Sequence, residues 1–167
     1  MNKTTYRELL RGKGAHVDPV ASLEHVSAAV AGRKMEGYPH SVWQIVGHMN
    51  YWMDYELRRI TGQRPAYPEH AIEGWPAELG PANEAEWDSA RHGLAARLER
   101  FDALSESPPE ALGAQVEAMH AGEASRSSSV EAVLWQILVH NSYHIGQITL
   151  LLRCFGLWPP PKGGDSW

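Results

Sequence analysis

The chain has a single cysteine, Cys154, so no intrachain disulfide can form. That usage fits a reducing cytoplasm, where a fold must rest on packing alone. No stretch approaches 18 consecutive apolar residues, so no membrane span is expected. The opening "MNKTTYRELLRGKG" lacks the apolar core of a secretory signal. Basic residues are in deficit, with a net charge of −5, which argues against a nucleic-acid partner. No run alternates apolar and polar residues in the manner of a half-buried strand.

What remains is a globular balance: 43% hydrophobic and 21% charged residues in a chain of 167, enough for one domain (1–167). Seven tryptophans are many for this length and suit core anchors or pocket walls. Proline and glycine punctuate a series of helices. "TTYRELLRG" reads as a short N-terminal arm. "DPVASLEHVSAAVAG" predicts a longer helix, with Asp18 as N-cap, Pro19 in the first turn and Gly32 closing it. A second long helix runs from Ser41 to about Gly62, with Val42, Ile45, Met49 and Trp52 at helical spacing. The third begins at Asn83, whose pairing with Glu86 resembles a capping box; Trp87, Leu94, Leu98 and Phe101 form its apolar face. The last starts from Ser128 with Glu131 and ends near Phe155, before a Pro-rich tail from about 157.

Four long helices predict an all-α protein, a four-helix bundle. Long connections separate helices two and three, and three and four. The first is about 20 residues, far above the turns that join antiparallel neighbours, so it can cross the bundle. An up-down-down-up order follows.

The second and last helices share a near-repeat. "WQIVGHMNYW" (43–52) and "WQILVHNSYH" (135–144) coincide at Trp, Gln, Ile, His and Tyr, with a constant offset of 92 (140 − 48). If the two helices run antiparallel, His48 approaches His140. Residues four apart lie about 40° around a helix and about 6 Å along it, so His144 shares the face of His140. Where the last helix has His144, the second has Trp52. Three imidazoles and an open position make the usual catalytic zinc arrangement, and Ni²⁺, Fe²⁺ or Mn²⁺ are further candidates. Gln44 and Gln136 each precede a histidine by one turn and are candidates to orient an imidazole or a bound water. The alternative reading of the same residues is two helices that repeat Trp-Gln-Ile-His for burial, with core histidines satisfied by hydrogen bonds.

These segments resemble the DinB-like (YfiT-like) metalloprotein family. "HSVWQIVGHMNYW" is similar to that family's first-histidine helix, and "LVHNSYHIGQITLLLRCFGLWPPP" to its closing helix, with HxxxH, a Gly-Gln pair and a Pro-rich end. "GWP" at 74–76 fits its long connection, and the resemblance spans nearly the whole chain. It implies a four-helix bundle, one divalent ion on His48, His140 and His144 with Zn or Ni foremost, and a homodimer. One departure is Ile145, where many relatives carry Arg after the last histidine; an anionic contact through that Arg is not expected. Activities in the family include metal-dependent S-transfer with a low-molecular-weight thiol, isomerisation and hydrolysis, all on small-molecule substrates.

Three functions compete. An enzyme would use the ion to lower the pKa of a bound thiol or water. Glu56, two turns beyond His48, and Tyr143 are candidates to assist, with Tyr51 beside them; the alternative for both tyrosines is core packing. A non-catalytic metal-binding stress or sensor protein would close the fourth position, with His25 or His40 available. An interaction module would hold no metal, and its three histidines would not converge. Trp43, Trp52 and Trp135 are candidate pocket walls. His16, His70, His92 and His120 are assigned no role, and Cys154 is expected to be a buried, inert thiol.

Overall fold

The computed structural model describes residues 3–116, 128–161 and 163. Among these the α-helices are α1 (Lys3–Leu10), α2 (Ala28–Ala31), α3 (Val42–Ile60), α4 (Glu84–Ser105), α5 (Pro109–Leu112) and α6 (Val130–Cys154). Short 3₁₀ turns occupy Ala21–Leu23 and Ala71–Gly74. The only pairing of strands among the described residues is a two-residue antiparallel contact of β1 (Gln115–Val116) with β2 (Ser128–Ser129). The protein is all-α. No described helix is long and apolar enough to cross a membrane. His120 and the far end of the Pro-rich tail lie outside the described residues.

Helix α3 starts where its chemistry dictates. The Ser41 hydroxyl accepts from Gln44 N, and the Gln44 side chain accepts from Ser41 N, a reciprocal capping box. Ser41 Oγ also donates to Leu79 O, tying the helix entry to the following connection. Ser41→Ala should therefore lower stability by about 1–2 kcal/mol, read as a shift in the urea midpoint. Asn83 caps α4 as expected, its side chain accepting from Glu86 N. The cap of α6 is Ser129, which accepts from Ala132 N, one residue later than the sequence suggests; Ser128 pairs with Val116 instead.

Side-chain contacts give the helix directions. Trp43 lies beside Trp87, Asn50 donates to Ala90 O and Arg97 to Asp54, so α3 and α4 run parallel. His48 meets His144, and Asn141 donates to Met53 Sδ, so α3 and α6 run antiparallel. The long connection does cross from one end of the molecule to the other. Trp87, Leu94, Leu98 and Phe101 of α4 are fully buried, with Val42, Ile45, Met49 and Met53 of α3 and Leu134, Ile145 and Ile148 of α6.

The long helix expected over 18–32 does not form. Asp18 Oδ1 accepts from Val20 N and Ala21 N, closing a tight local turn. Further on, α4 takes the carbonyls that a helix would need: Trp87 Nε1 donates to Val26 O, and Arg91 to Leu23 O. Only Ala28–Ala31, capped by Ser27, returns to helix. The N-terminal arm packs more deeply than an arm. Tyr6 and Leu10 of α1 are buried, Tyr6 donates to Leu134 O, and Arg11 pairs with the buried Asp102. Cys154 is exposed, not buried.

Candidate metal centre

Helix α3 supplies His48, and α6 supplies His140 and His144. One ring nitrogen from each lies within 4.8 Å of the others. The other ring nitrogens are engaged. His48 Nδ1 donates to Gly74 O at 2.8 Å, and His144 Nδ1 to Gln147 Oε1 at 2.7 Å. His140 Nδ1 has only a long contact, 3.4 Å, to Asn141 Oδ1. With the protons on Nδ1, the Nε2 lone pairs are the free donors, which is how supporting groups prepare imidazoles for a metal. His48 Nε2 and His140 Nε2 are 3.2 Å apart. Two lone pairs at that distance repel unless a proton or cation lies between them. Tetrahedral ligands on Zn²⁺ would sit about 3.3 Å apart, given bonds of 2.0–2.1 Å. The donor set therefore fits one divalent ion.

The cluster is half-enclosed. His48 and His144 are buried, and His140 is partly so. Burial pushes His48 and His144 down to about 4, reinforced by the neighbouring imidazoles, and lowers His140 as well. All three are neutral at pH 7, as ligation requires. The same shifts carry a stability prediction for the metal-free protein. An unfolded chain takes up these protons near pH 6.5, whereas the folded one resists until about pH 4. Between those values the unfolded state binds more protons, so stability falls as pH drops from 6.5 toward 4. Each extra proton steepens the fall by about 1.4 kcal/mol per pH unit. Denaturant midpoints of chelator-treated protein at pH 7 and pH 5 would show it, and His48→Gln should flatten the difference.

The segment 71–76 braces His48, a feature that spacing does not reveal. Gly74 offers the carbonyl, and the Trp75 indole stacks on the His48 ring at 3.8 Å between centroids, 12° from parallel. His40 stacks on Trp75 as well, at 3.7 Å. The brace is fixed to α3 by Gln44 Nε2, which donates to Pro76 O, and by the close seat of Pro76 on Gly47. Gln44 thus acts one step away from the expected place: it bonds the brace and its own helix cap, not an imidazole of the cluster. Tyr51 and Trp52 crowd Gly74, where an added Cβ would lie 3.2 Å from Trp52 Nε1.

The other candidates separate. His25 is tied to Leu157 O and His40 to the Trp75 stack, so neither joins the cluster. Among the described residues the group contains three histidines and no fourth His, Cys, Asp or Glu. Glu56, Gln136, Trp52 and His140 line one cavity with Tyr67 and Ile137. Tyr143 is 64% exposed; its ring edge packs on His144, and its hydroxyl accepts from Gln147 Nε2. Trp43 packs toward Trp87, and Trp135 lies against Tyr6, both away from that cavity.

A family model described as the DinB superfamily matches residues 18–148, well over half of the chain and all three histidines. This chain belongs to the DinB superfamily. Comparison with curated proteins and with solved structures gave no match. Within the superfamily domain, the histidine cluster sits on the two helices that carry the near-repeat, and the brace comes from the connection between α3 and α4. A site compatible with a metal ion is thus present; its chemistry is a separate matter.

Proposed function

We propose that this DinB-superfamily protein is a metal-dependent transferase that activates a low-molecular-weight thiol. The observation that carries the reading is the convergence of one ring nitrogen from each of three histidines, with no fourth His, Cys, Asp or Glu in the group among the described residues. A closed site would favour a structural or sensor ion; an incomplete one leaves room for a reactant. An all-imidazole set suits Zn²⁺ or Ni²⁺ ahead of Fe²⁺ or Mn²⁺. A divalent ion held there by neutral ligands would supply positive charge that stabilises a thiolate or hydroxide near neutral pH. Thiol transfer is favoured over hydrolysis because a thiol sheds its proton more readily than water and has less need of a positioned base. The one carboxylate that borders the adjoining cavity, Glu56, is already paired with Arg59.

The test is elemental analysis of tag-free protein purified without chelator, followed by thiol consumption with an alkylating electrophile. About one ion per chain and metal-dependent loss of free thiol support the reading. One ion per chain with no turnover of thiol or ester would favour the non-catalytic metal protein, and no ion at all would remove both.

We also propose a cytoplasmic homodimer. Trp135, Val139, Tyr143 and Leu150 are 37%, 64%, 64% and 49% exposed and share one face of α6. Light scattering should give twice the chain mass of 18.6 kDa, and Val139→Asp should shift it toward the monomer.

A further inference from the structure

The gap between α3 and α6 does not end at the histidines. It continues for one helical turn, from His140 to Gln136 on α6 and from Trp52 to Glu56 on α3, as a cavity of about 170 Å³ that Tyr67 and Ile137 complete. Its aromatic walls are set before any guest arrives. Trp52, Tyr55 and Tyr67 brace one another, with ring centroids 5.4 Å (Trp52–Tyr55), 5.7 Å (Trp52–Tyr67) and 6.1 Å (Tyr55–Tyr67) apart. Ile137, 2% exposed, adds a branched apolar wall. Glu56 offers a guest neither of its oxygens: Arg59 Nη1 holds Oε2 at 2.6 Å, and Oε1 is buried. Gln136 is exposed and neutral, and His140 is the lining residue that also belongs to the histidine cluster.

We infer that this cavity seats one planar, uncharged ring of a small-molecule reactant, about the size of a phenyl group. The volume sets the size: an apolar protein cavity of about 150 Å³ takes up benzene. The lining sets the shape. Aromatic side chains pair with an aromatic guest edge-on or offset, a gain beyond the area buried that a saturated ring forgoes. Walls that are already in place lower the ordering cost of binding. Because His140 is both a wall of the cavity and a member of the cluster, an arm on the ring leads from one to the other. In a thiol transferase the ring then belongs to the electrophile. The sulfur bonds to a carbon of the arm, the displaced group leaves with the bonding pair, and the thiol proton passes to solvent. That assignment rests on the proposed metal chemistry; the seat for the ring does not.

The experiment titrates benzyl alcohol, cyclohexylmethanol and 1-propanol into chelator-treated and metal-loaded protein, with ligand-observed NMR as the readout. Benzyl alcohol should bind both forms saturably, severalfold more tightly than cyclohexylmethanol and at least about tenfold more tightly than propanol. Tyr67→Ala removes a partly exposed wall and should weaken benzyl alcohol severalfold while circular dichroism stays parental. Ile137→Phe adds bulk at the cavity and should weaken it by at least about tenfold. If that variant does not fold, Tyr67→Ala decides. Val139→Asp, on the exposed side of α6 and outside the cavity, should leave the affinity unchanged. Equal binding of benzyl alcohol and cyclohexylmethanol, parental affinity in Tyr67→Ala, loss of binding in Val139→Asp, or no saturable binding to either form would overturn the seat. Because the metal-free form is measured too, ring binding is decided even in a protein that fails to load metal. Ring binding without thiol consumption would remove the transferase reading and leave the seat standing.

Discussion

If the three imidazoles share an ion, His140→Ala should lose it and keep the fold. Its imidazole has one long contact on Nδ1, so truncation removes a ligand without leaving a strongly bonded partner stranded. Two remaining nitrogens hold an ion far less tightly than three, and the expected loss of affinity exceeds the roughly 10–100-fold that removal of a supporting partner costs. His48→Ala should lose the ion as completely, but with some loss of stability, because Gly74 O gives up its donor in a buried place. Competition with a chromogenic chelator measures the affinities, and a denaturation curve of each metal-free variant measures the fold. Parental affinity in His140→Ala would mean that the three imidazoles do not share an ion.

Gly47→Ala tests the brace from a distance. A Cβ at Gly47 would lie 2.2 Å from Pro76 Cγ and 3.0 Å from Cδ. The proline ring cannot swing aside as a long side chain would, and Gln44 holds its carbonyl. The segment 71–76 must therefore lift, and it carries the Gly74 carbonyl and the Trp75 stack away from His48. Overpacking of this kind costs about 1–3 kcal/mol, and loosening the His48 support should weaken metal binding by about 10–100-fold. Gly146→Ala is the matched control on α6. Nothing lies within 4 Å of its would-be Cβ, so it should leave metal binding alone and stabilise by up to about 1 kcal/mol. If both alanines behave alike, the brace has no hold on the site.

The histidine cluster was legible because helical geometry makes the spacing of its members informative. A fixed offset between two related helices brings His48 to His140, and one turn adds His144. The caps at Ser41 and Asn83 were legible for a similar reason: they are local chemistry within four residues. The break in 18–32 was not, because the bonds that decide it come from Trp87 and Arg91, more than 60 residues away. Nor was the role of Gly74 and Trp75. A carbonyl carries no sequence signature, and the stack depends on how the connection folds back over α3. Glu56 fell in the right neighbourhood from its helical face alone, but its orphan oxygen and its tie to Arg59 needed coordinates.

The near-repeat has a further consequence. Were α3 and α6 true equals, the counterpart of His144 would be a fourth imidazole at position 52; the chain has an indole there instead. Trp52 faces His48 edge-on at 6.3 Å and forms a wall of the cavity that Glu56 lines. An indole offers no lone pair to an ion. A perfectly symmetric pair of helices would make a sealed four-histidine clasp; breaking that symmetry at one residue leaves one side of the centre facing a cavity instead of another ligand.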